Sequence, residues 1–533
     1  MAFSVEYIPY CSTKAFSAIA IDYVESVETL KPFYQHQPNL DGIKDAIRHR
    51  NGFGTNRVLL VEQLRQQYAG MEPGNQVTAN INSLLLENTY SITTAHQPNI
   101  FTGHLYFIYK ILHAIKLAKE LTQQKPDCNF VPVYYMGSED ADLEELGEVS
   151  INGKKYIWET TQKGAVGRMK IDKAFLALVD AIEAQISVEQ FGKEILSLVK
   201  AVYTLDKTIE QATFELVHKL FNEYGLLVLL PDNATLKSAF VPVAKRELLE
   251  QFSSKAVATT MHKFPESYKV QAAGRALNLF YLLEDSRERI EKVNNHWQVL
   301  NTNILFTEEQ LLSELHDFPE RFSPNVILRP VFQELVLPNI AFIGGGGELA
   351  YWLELKEVFG AAGVPYPVLV LRNSFMFVNK KVHDNIDALQ LTATDFFDPT
   401  HVLMSELVKR SSLLRLNLQI EREALANLYK EIKVVATDVD SSLERHTTAL
   451  LAKADKKLAE LEKKILLAEK KKFAAQERQV VKIKSILCPN DGLQERVDNI
   501  IPYYAVYGSN FIKLLYTHST GLQQQFCIIR QVE

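Results

Sequence analysis

The sequence predicts an α/β protein: a parallel sheet covered by helices on both faces and broken by insertions, with an antiparallel helical coiled coil towards its C-terminal end. Three observations predict it. Between residues 86 and 402, short apolar runs that end in polar clusters alternate with amphipathic helical stretches, the pattern of strands buried on both faces. From about residue 403 to 488, Leu, Ile, Val and Ala recur at heptad-like spacing with Lys and Glu crowded between them,. Over 533 residues the chain is 47% hydrophobic and 23% charged, ordinary for a globular protein and enough to fill more than one domain.

Residues 1–85 read as a mainly helical, polar segment, with LLVEQLRQQYAGM as one helix. Residues 86–240 read as the first part of the sheet domain. YSITTA, NFVPVYYM and GLLVLLPD are its first three strands, and an Asn152–Gly153 hairpin follows the second,. Residues 241–325 read as an insertion with shorter strand-like pieces. Residues 326–402 resume the sheet with LVLPNIAFIGGGG and YPVLVLRNS as the fourth and fifth strands. In the coil, Leu418, Leu425, Leu428, Ile432, Val435 and Val439 form one seam, and Leu451, Ala454, Leu458, Leu461, Ile465 and Ala468 the other. Two helices of about 30 residues each are expected from them. Residues 489–533 look globular again and are expected to pack back on the sheet domain or the coil base.

Charge and cysteine usage narrow the function. A formal charge of −6 argues against a dedicated nucleic-acid binder,. The four cysteines, Cys11, Cys128, Cys488 and Cys527, are scattered with no CxxC, which points to a reducing cytoplasm rather than a disulfide scaffold or a zinc finger,. Neither a signal peptide nor a membrane span is evident, and no metal ligand set stands out.

Ligands on a parallel sheet bind beyond the carboxyl ends of its strands, where the polar clusters AHQPN, GSED, PDN, GGGGE and RNS fall. After the first strand, TTAHQPNIFTGHL makes a strand–turn–helix junction, and backbone amides at a helix start suit an anion. His96, Gln97, Asn99, Thr102 and His104 add donors, and Gly103 permits close approach. A helix cap over a buried polar turn is the competing reading. Gly103 and His104 also match the last two letters of the HIGH-type signature of class I aminoacyl-tRNA synthetases, with Phe101 where its first His would stand. After the second strand, Glu139 and Asp140 head an acidic cluster that can hold Mg²⁺, orient an ammonium group or act as a base. Glu144 and Glu145 read as acids of a solvated helix start.

The run IGGGGELAYW is no P-loop, because no Gly-Lys-Ser/Thr follows,. Gly345, Gly347 and Ala350 do fit G-x-G-x-x-A, and the next strand ends in Arg372, which keeps an NADP-dependent oxidoreductase open. Against it, the glycines follow the fourth strand, and Glu348 stands where a pyrophosphate would lie. Arg329 precedes the glycine strand and suits a carboxylate or phosphate. Lys380 and Lys381 read as a solvated pair.

Taken together, TTAHQPNIFTGHLYFIYKI, PVYYMGSEDADLEEL, GLLVLLPDNATLKSAFVPV, LRPVFQELVLPNIAFIGGGGELAYWLELKEVF and YPVLVLRNS resemble successive blocks of the bacillithiol-synthesis cysteine ligases, the BshC family. The likeness covers nearly the whole chain. Two departures stand out: Ala141 where the family commonly has His, and a Gly in the run where Pro is frequent. The resemblance implies a Rossmann-like core related to class I synthetases, connecting-peptide insertions, and a coiled coil joining two protomers. It also implies an ATP-dependent ligase, with or without Mg²⁺, that adds L-cysteine to the amine of glucosaminyl-malate.

On that reading Gln97, Asn99, Thr102, Gly103 and His104 lie near phosphate, and Glu139 and Asp140 hold the amine and take its proton. Gly344, Gly345, Gly346 and Gly347 let substrate approach the backbone. Glu348 and Tyr351 line the pocket, and Arg329 or Arg372 pairs the malate carboxylates. Whether ATP ends as AMP or ADP stays open. A coiled-coil scaffold whose sheet domain has lost its chemistry is the third reading.

Overall fold

The computed structural model describes residues 2–272 and 274–533. Five strands make the central sheet: β1 (Thr89–His96), β2 (Asn129–Met136), β3 (Leu227–Leu229), β4 (Asn339–Gly344) and β5 (Val368–Leu371). All neighbours run parallel, in the order β5-β4-β1-β2-β3. The chain builds one side of β1 first, with β2 and β3, then crosses to the other side with β4 and β5. The order reverses between β1 and β4, and a crevice opens beyond their carboxyl ends.

The sequence explains the burial. Every residue of β1 except His96, and every residue of β4, is buried. β-branched side chains suit that pleated, two-sided environment. The threonines among them find partners: Thr94 Oγ1 donates to the Ile343 carbonyl at 2.9 Å, and Thr93 Oγ1 to Asn339 Oδ1 at 2.8 Å. Helix α1 (Leu105–Gln124) packs on β1 and β2. Its length follows from an apolar face that runs from Leu105 to Leu121,.

The excursion between β3 and β4 starts with α2 (Ala234–Glu250). It continues as an antiparallel five-stranded sheet of Leu279–Leu282, Arg287–Val293, His296–Val299, Leu305–Phe306 and Phe322–Pro324. It returns through α3 (Arg329–Val336), and α4 (Gly346–Leu353) follows β4. A smaller hairpin pairs Glu148–Ile151 with Lys154–Ile157, turning on Asn152 at φ 49 and Gly153 at φ 76,. The segment read as mainly helical opens instead on a strand, Phe3–Ile8. That strand pairs antiparallel with Phe526–Gln531, which runs parallel to Ser374–Val378.

The coil is a hairpin of α5 (Gln419–Val439) and α6 (Leu443–Lys470). Arg422 meets Asp455 at 2.6 Å and Lys433 meets Glu444 at 2.8 Å, so one helix climbs as the other descends. Two details depart from the sequence reading. α5 has 21 residues rather than about 30. Its seam also turns away: Leu418 and Leu425 are half-buried, but Leu428, Ile432, Val435 and Val439 are 52%, 43%, 67% and 80% exposed. A straight helix drifts about 20° per heptad against a strict seven-residue repeat. By the second heptad Tyr429 and Lys433 have taken the inward positions. Among the described residues, no helix is long and apolar enough to cross a membrane.

Candidate active site

A cleft of about 690 Å³ opens at the carboxyl ends of β1, β2 and β4. Its floor is made by residues at and just past the ends of these strands. His96 and Gln97 come from β1, Ser138, Glu139 and Asp140 from β2, and Gly345, Gly346, Gly347 and Glu348 from β4. Arg329 and Tyr351 stand on one wall and Arg372 on another. The strand-end clusters are thus brought together at the place where the strand order reverses.

The turn after β1 is unusual. Phe101 and Thr102 have φ of 51 and 70, and Gly103 has φ 63 with ψ −137. Only glycine enters that last region freely, and a Cβ at Gly103 would also stand 2.8 Å from Asn99 Cβ. The C-terminal segment holds the turn. Asn499 Nδ2 donates to the Phe101 and Gly103 carbonyls at 2.9 and 2.5 Å, and the first amide of α1, Leu105 N–H, donates to the Asp498 carbonyl at 2.7 Å. Of the five residues that the sequence placed near phosphate, Gln97 lines the cleft, whereas Asn99, Thr102, Gly103 and His104 lie behind its wall. Asn99 Oδ1, Thr102 Oγ1 and His104 Nδ1 are buried without a hydrogen-bond partner.

Glu139 and Asp140, adjacent in sequence, have different surroundings. Glu139 is 9% exposed. It forms an ion pair with Lys237 of α2 and accepts from Ser323 Oγ at 2.6 Å. Lys237 also donates to the Phe322 carbonyl at 2.9 Å. Asp140 is only half-buried, and Gln97 Nε2 donates to its Oδ2 at 3.1 Å. Glu145 joins them on the cleft wall. Burial, and then Asp142, Asp140 and Glu148 nearby, raise its carboxyl above the ordinary range,.

The glycine run divides in two. A Cβ at Gly344 would meet Phe342 Cε1 at 2.8 Å, so packing asks for glycine there, and one at Gly346 would come within 3.3 Å of Ala20 Cβ, a tight contact in which the neighbour must give by a few tenths of an ångström. At Gly345 the nearest atoms are Arg372 Nε and Glu348 Oε2, both at 3.6 Å, and at Gly347 nothing lies within 4 Å. Those two leave cleft space open rather than fit the protein. Glu348 Oε2 accepts from Gly345 N–H at 2.8 Å and from Lys110 Nζ at 2.6 Å. Lys110 is buried on α1 and also donates to the Ala95 carbonyl at 2.6 Å. That bridge ties the two strands that flank the crevice.

Arg329 donates from Nη2 to the Tyr351 hydroxyl at 2.7 Å, while its Nη1 is buried with no partner. Arg372 is engaged within the protein: Nη2 on Glu495 at 2.6 Å, Nη1 on Ser374 Oγ at 2.8 Å and on the Asn373 carbonyl at 3.1 Å. Three further cations on the walls escaped the sequence reading: Arg275 and Arg287 of the insertion, and Arg496. Lys110 escaped it too. The cleft therefore has six basic side chains against four carboxylates, Glu139, Asp140, Glu145 and Glu348, which favours anionic ligands. His96 remains neutral, its pKa well below the usual value through burial and then the Lys110 charge.

The family description "Bacillithiol biosynthesis BshC, N-terminal Rossmann-like domain" matches residues 3–373, and "Bacillithiol biosynthesis BshC, C-terminal coiled-coil domain" matches residues 375–531. A Flavobacterium johnsoniae protein named "Putative cysteine ligase BshC" is 37% identical over 524 residues, 98% of this chain and 99% of its own. One of the same name from Flavobacterium psychrophilum is 37% identical over 526 residues, with 98% and 99% covered. The solved Mycobacterium tuberculosis methionyl-tRNA synthetase with methionyl-adenylate aligns at TM-score 0.21 and 10% identity, covering 80% of this chain and 91% of its own. A superposition that loose says nothing about the site. The oxidoreductase and scaffold readings find no support in these similarities. Against the former, the Gly345 amide that would face a pyrophosphate already holds the Glu348 carboxylate.

Proposed function

This chain belongs to the BshC family of bacillithiol biosynthesis, and on that premise we propose that it is an ATP-dependent ligase joining the carboxyl of L-cysteine to the glucosamine amine of glucosaminyl-malate. One observation carries the reading. The Gln97–Asp140 pair, the side-chain-free Gly345 and Gly347, and Arg329, whose buried Nη1 has no partner, line a single cleft rich in cations.

A free carboxylate is a poor electrophile. ATP would convert it to an acyl-adenylate with loss of pyrophosphate, or to an acyl-phosphate with loss of ADP. The neutral amine then attacks the acyl carbon: the C–N bond forms, the C–O bond to AMP or phosphate breaks, and the amine proton leaves to a base. We assign that base to Asp140, oriented by Gln97. Glu139, tied to Lys237 and Ser323, holds the strand end and adds negative charge beside an incoming ammonium. Arg329 takes a malate carboxylate or a phosphate through Nη1, and the Nε edge of Arg372 faces the same space across Gly345. Arg275, Arg287 and Arg496 surround the remaining negative charge. Asn99, Thr102, Gly103 and His104 act from behind Gln97 by fixing its turn. Gly344 and Gly346 shape the glycine turn, and Glu348 and Tyr351 position Lys110 and Arg329. Mg²⁺, where used, enters with the triphosphate.

We place the enzyme in the cytoplasm, in keeping with four free thiols, and as a homodimer through the exposed Leu428, Ile432, Val435 and Val439 stripe of α5. The test is direct. Purified protein with ATP, Mg²⁺, cysteine and glucosaminyl-malate should yield the cysteinyl amide by mass spectrometry, with nucleotide turnover that depends on cysteine. Absence of both overturns the assignment.

A further inference from the structure

Far from the cleft, three side chains converge at the amino edge of the sheet. Asp45 and His49 lie four residues apart on the helix Leu40–Asn51, so both project from one face,. His36 comes from the bend just before that helix. Among the described residues this is the one place where three metal-ligating groups bring ligand atoms within 4.8 Å of one another. The helix packs on β4 and β5, and Arg50 at its end donates to the Asn339 carbonyl at the start of β4 at 2.9 Å. The site is therefore anchored to the edge opposite the cleft.

His36 makes the cluster more than a coincidence of surface charges. Its side chain is completely buried, yet neither ring nitrogen has a hydrogen-bond partner. Nδ1 lies 3.4 Å from Asp45 Oδ2, too long for a good hydrogen bond,. An imidazole whose nitrogens are unengaged, set beside a carboxylate, is the arrangement a metal ion uses,. His49 fits the same scheme. Its Nδ1 lies 2.9 Å from the Asp45 carbonyl, a contact that leaves the Nε2 lone pair unused, the usual outer support of a ligating histidine. Arg48 pairs with Asp45 Oδ1 and leaves Oδ2 towards His36. His49 is exposed, so an ion has a way in.

We propose that His36, Asp45 and His49 form a binding site for a divalent transition-metal ion of the zinc class. Two imidazoles and one carboxylate suit zinc or cobalt far better than magnesium or calcium. With Asp45 the one anionic ligand, the fourth position falls to water or a small anion. The ion would pin the bend at His36 to the helix that carries Arg50.

The test uses the full chain, stripped with chelator and titrated with zinc chloride against a chromophoric competitor, then with cobalt chloride followed by visible absorption. The expected result is one zinc per chain, a raised Tm, and cobalt bands of tetrahedral strength. His49→Ala, at an exposed position that leaves the fold intact, should weaken zinc about tenfold or more and abolish the cobalt bands. Asp45→Asn should do the same. Failure of the parent protein to bind one equivalent, or an unchanged affinity in His49→Ala, overturns the proposal.

Discussion

Ser323 Oγ donates to Glu139 Oε2 at 2.6 Å, so a residue of the insertion closes on the end of the second core strand. With Lys237 on the other oxygen, that carboxylate is fixed from two sides, while Asp140 beside it is held by Gln97 alone among its described side-chain partners.

The two acids should therefore separate under mutation. Glu139→Gln strips Lys237 of its buried counter-charge and should cost about 3–5 kcal/mol of stability in denaturant titrations. Asp140→Asn should unfold at nearly the parental midpoint yet lose about 10²–10⁴ in kcat. The reverse pattern would move the base to Glu139.

Arg329 offers a second separation. Arg329→Met removes the free Nη1, and KM for glucosaminyl-malate should rise about 10–100-fold, the worth of a charge-assisted hydrogen bond. Arg329→Lys should recover only part of this, because an ammonium cannot span Tyr351 and a ligand together. An unchanged KM would remove Arg329 from substrate binding.

Gly347→Ala should move stability and activity in opposite directions. The position is helical and nothing lies within 4 Å of an added methyl. The fold should gain about 0.5–1 kcal/mol, while a methyl in the cleft should depress kcat/KM. Thermal unfolding and steady-state assays on the one variant decide it; parental activity would exclude close substrate approach there.

Glu210 sets a pH dependence. Burial, then Asp232 nearby, raises its carboxyl from 4.5 to about 8. Between those values the folded chain holds a proton that the unfolded chain has lost, so this group's stabilising contribution is complete below 4.5 and declines as pH climbs through 8. Glu210→Gln should remove that slope and be the more stable protein at pH 8.5, by an amount on the order of a few kcal/mol. Chemical unfolding at pH 6 and pH 8.5 measures the difference.

The α5 stripe makes the oligomer testable. Leu428→Glu and Val435→Glu, at positions 52% and 67% exposed, should yield monomers by light scattering with unchanged helical circular dichroism. Dimers that survive both changes would place the interface elsewhere.

Much of this architecture was legible in the chain. Strands buried on both faces leave continuous apolar runs, and NFVPVYYM marks β2 residue for residue. The polar clusters at the strand ends could be read as one site because a parallel sheet carries all of them to one edge. What escaped came from tertiary path. Arg275 and Arg287 belong to the insertion and Arg496 to the C-terminal segment, and no local pattern aims them at the cleft. Lys110 sits among apolar neighbours of α1 and reads as a helix surface, although its ammonium crosses to Glu348. Gly344 and Gly347 look alike in the run, yet one answers to Phe342 and the other to open space. The coil seam failed by geometry, since a seven-residue repeat and a straight helix part company within two heptads.

Asp498 and Asn499, which cap the turn after β1, leave the ribosome almost four hundred residues after the turn they hold. The wall of the cleft is thus backed by some of the latest-made parts of the protein. A nascent chain stalled within the coil would carry every strand of the sheet and still lack this latch, so premature products should be catalytically silent rather than partially active.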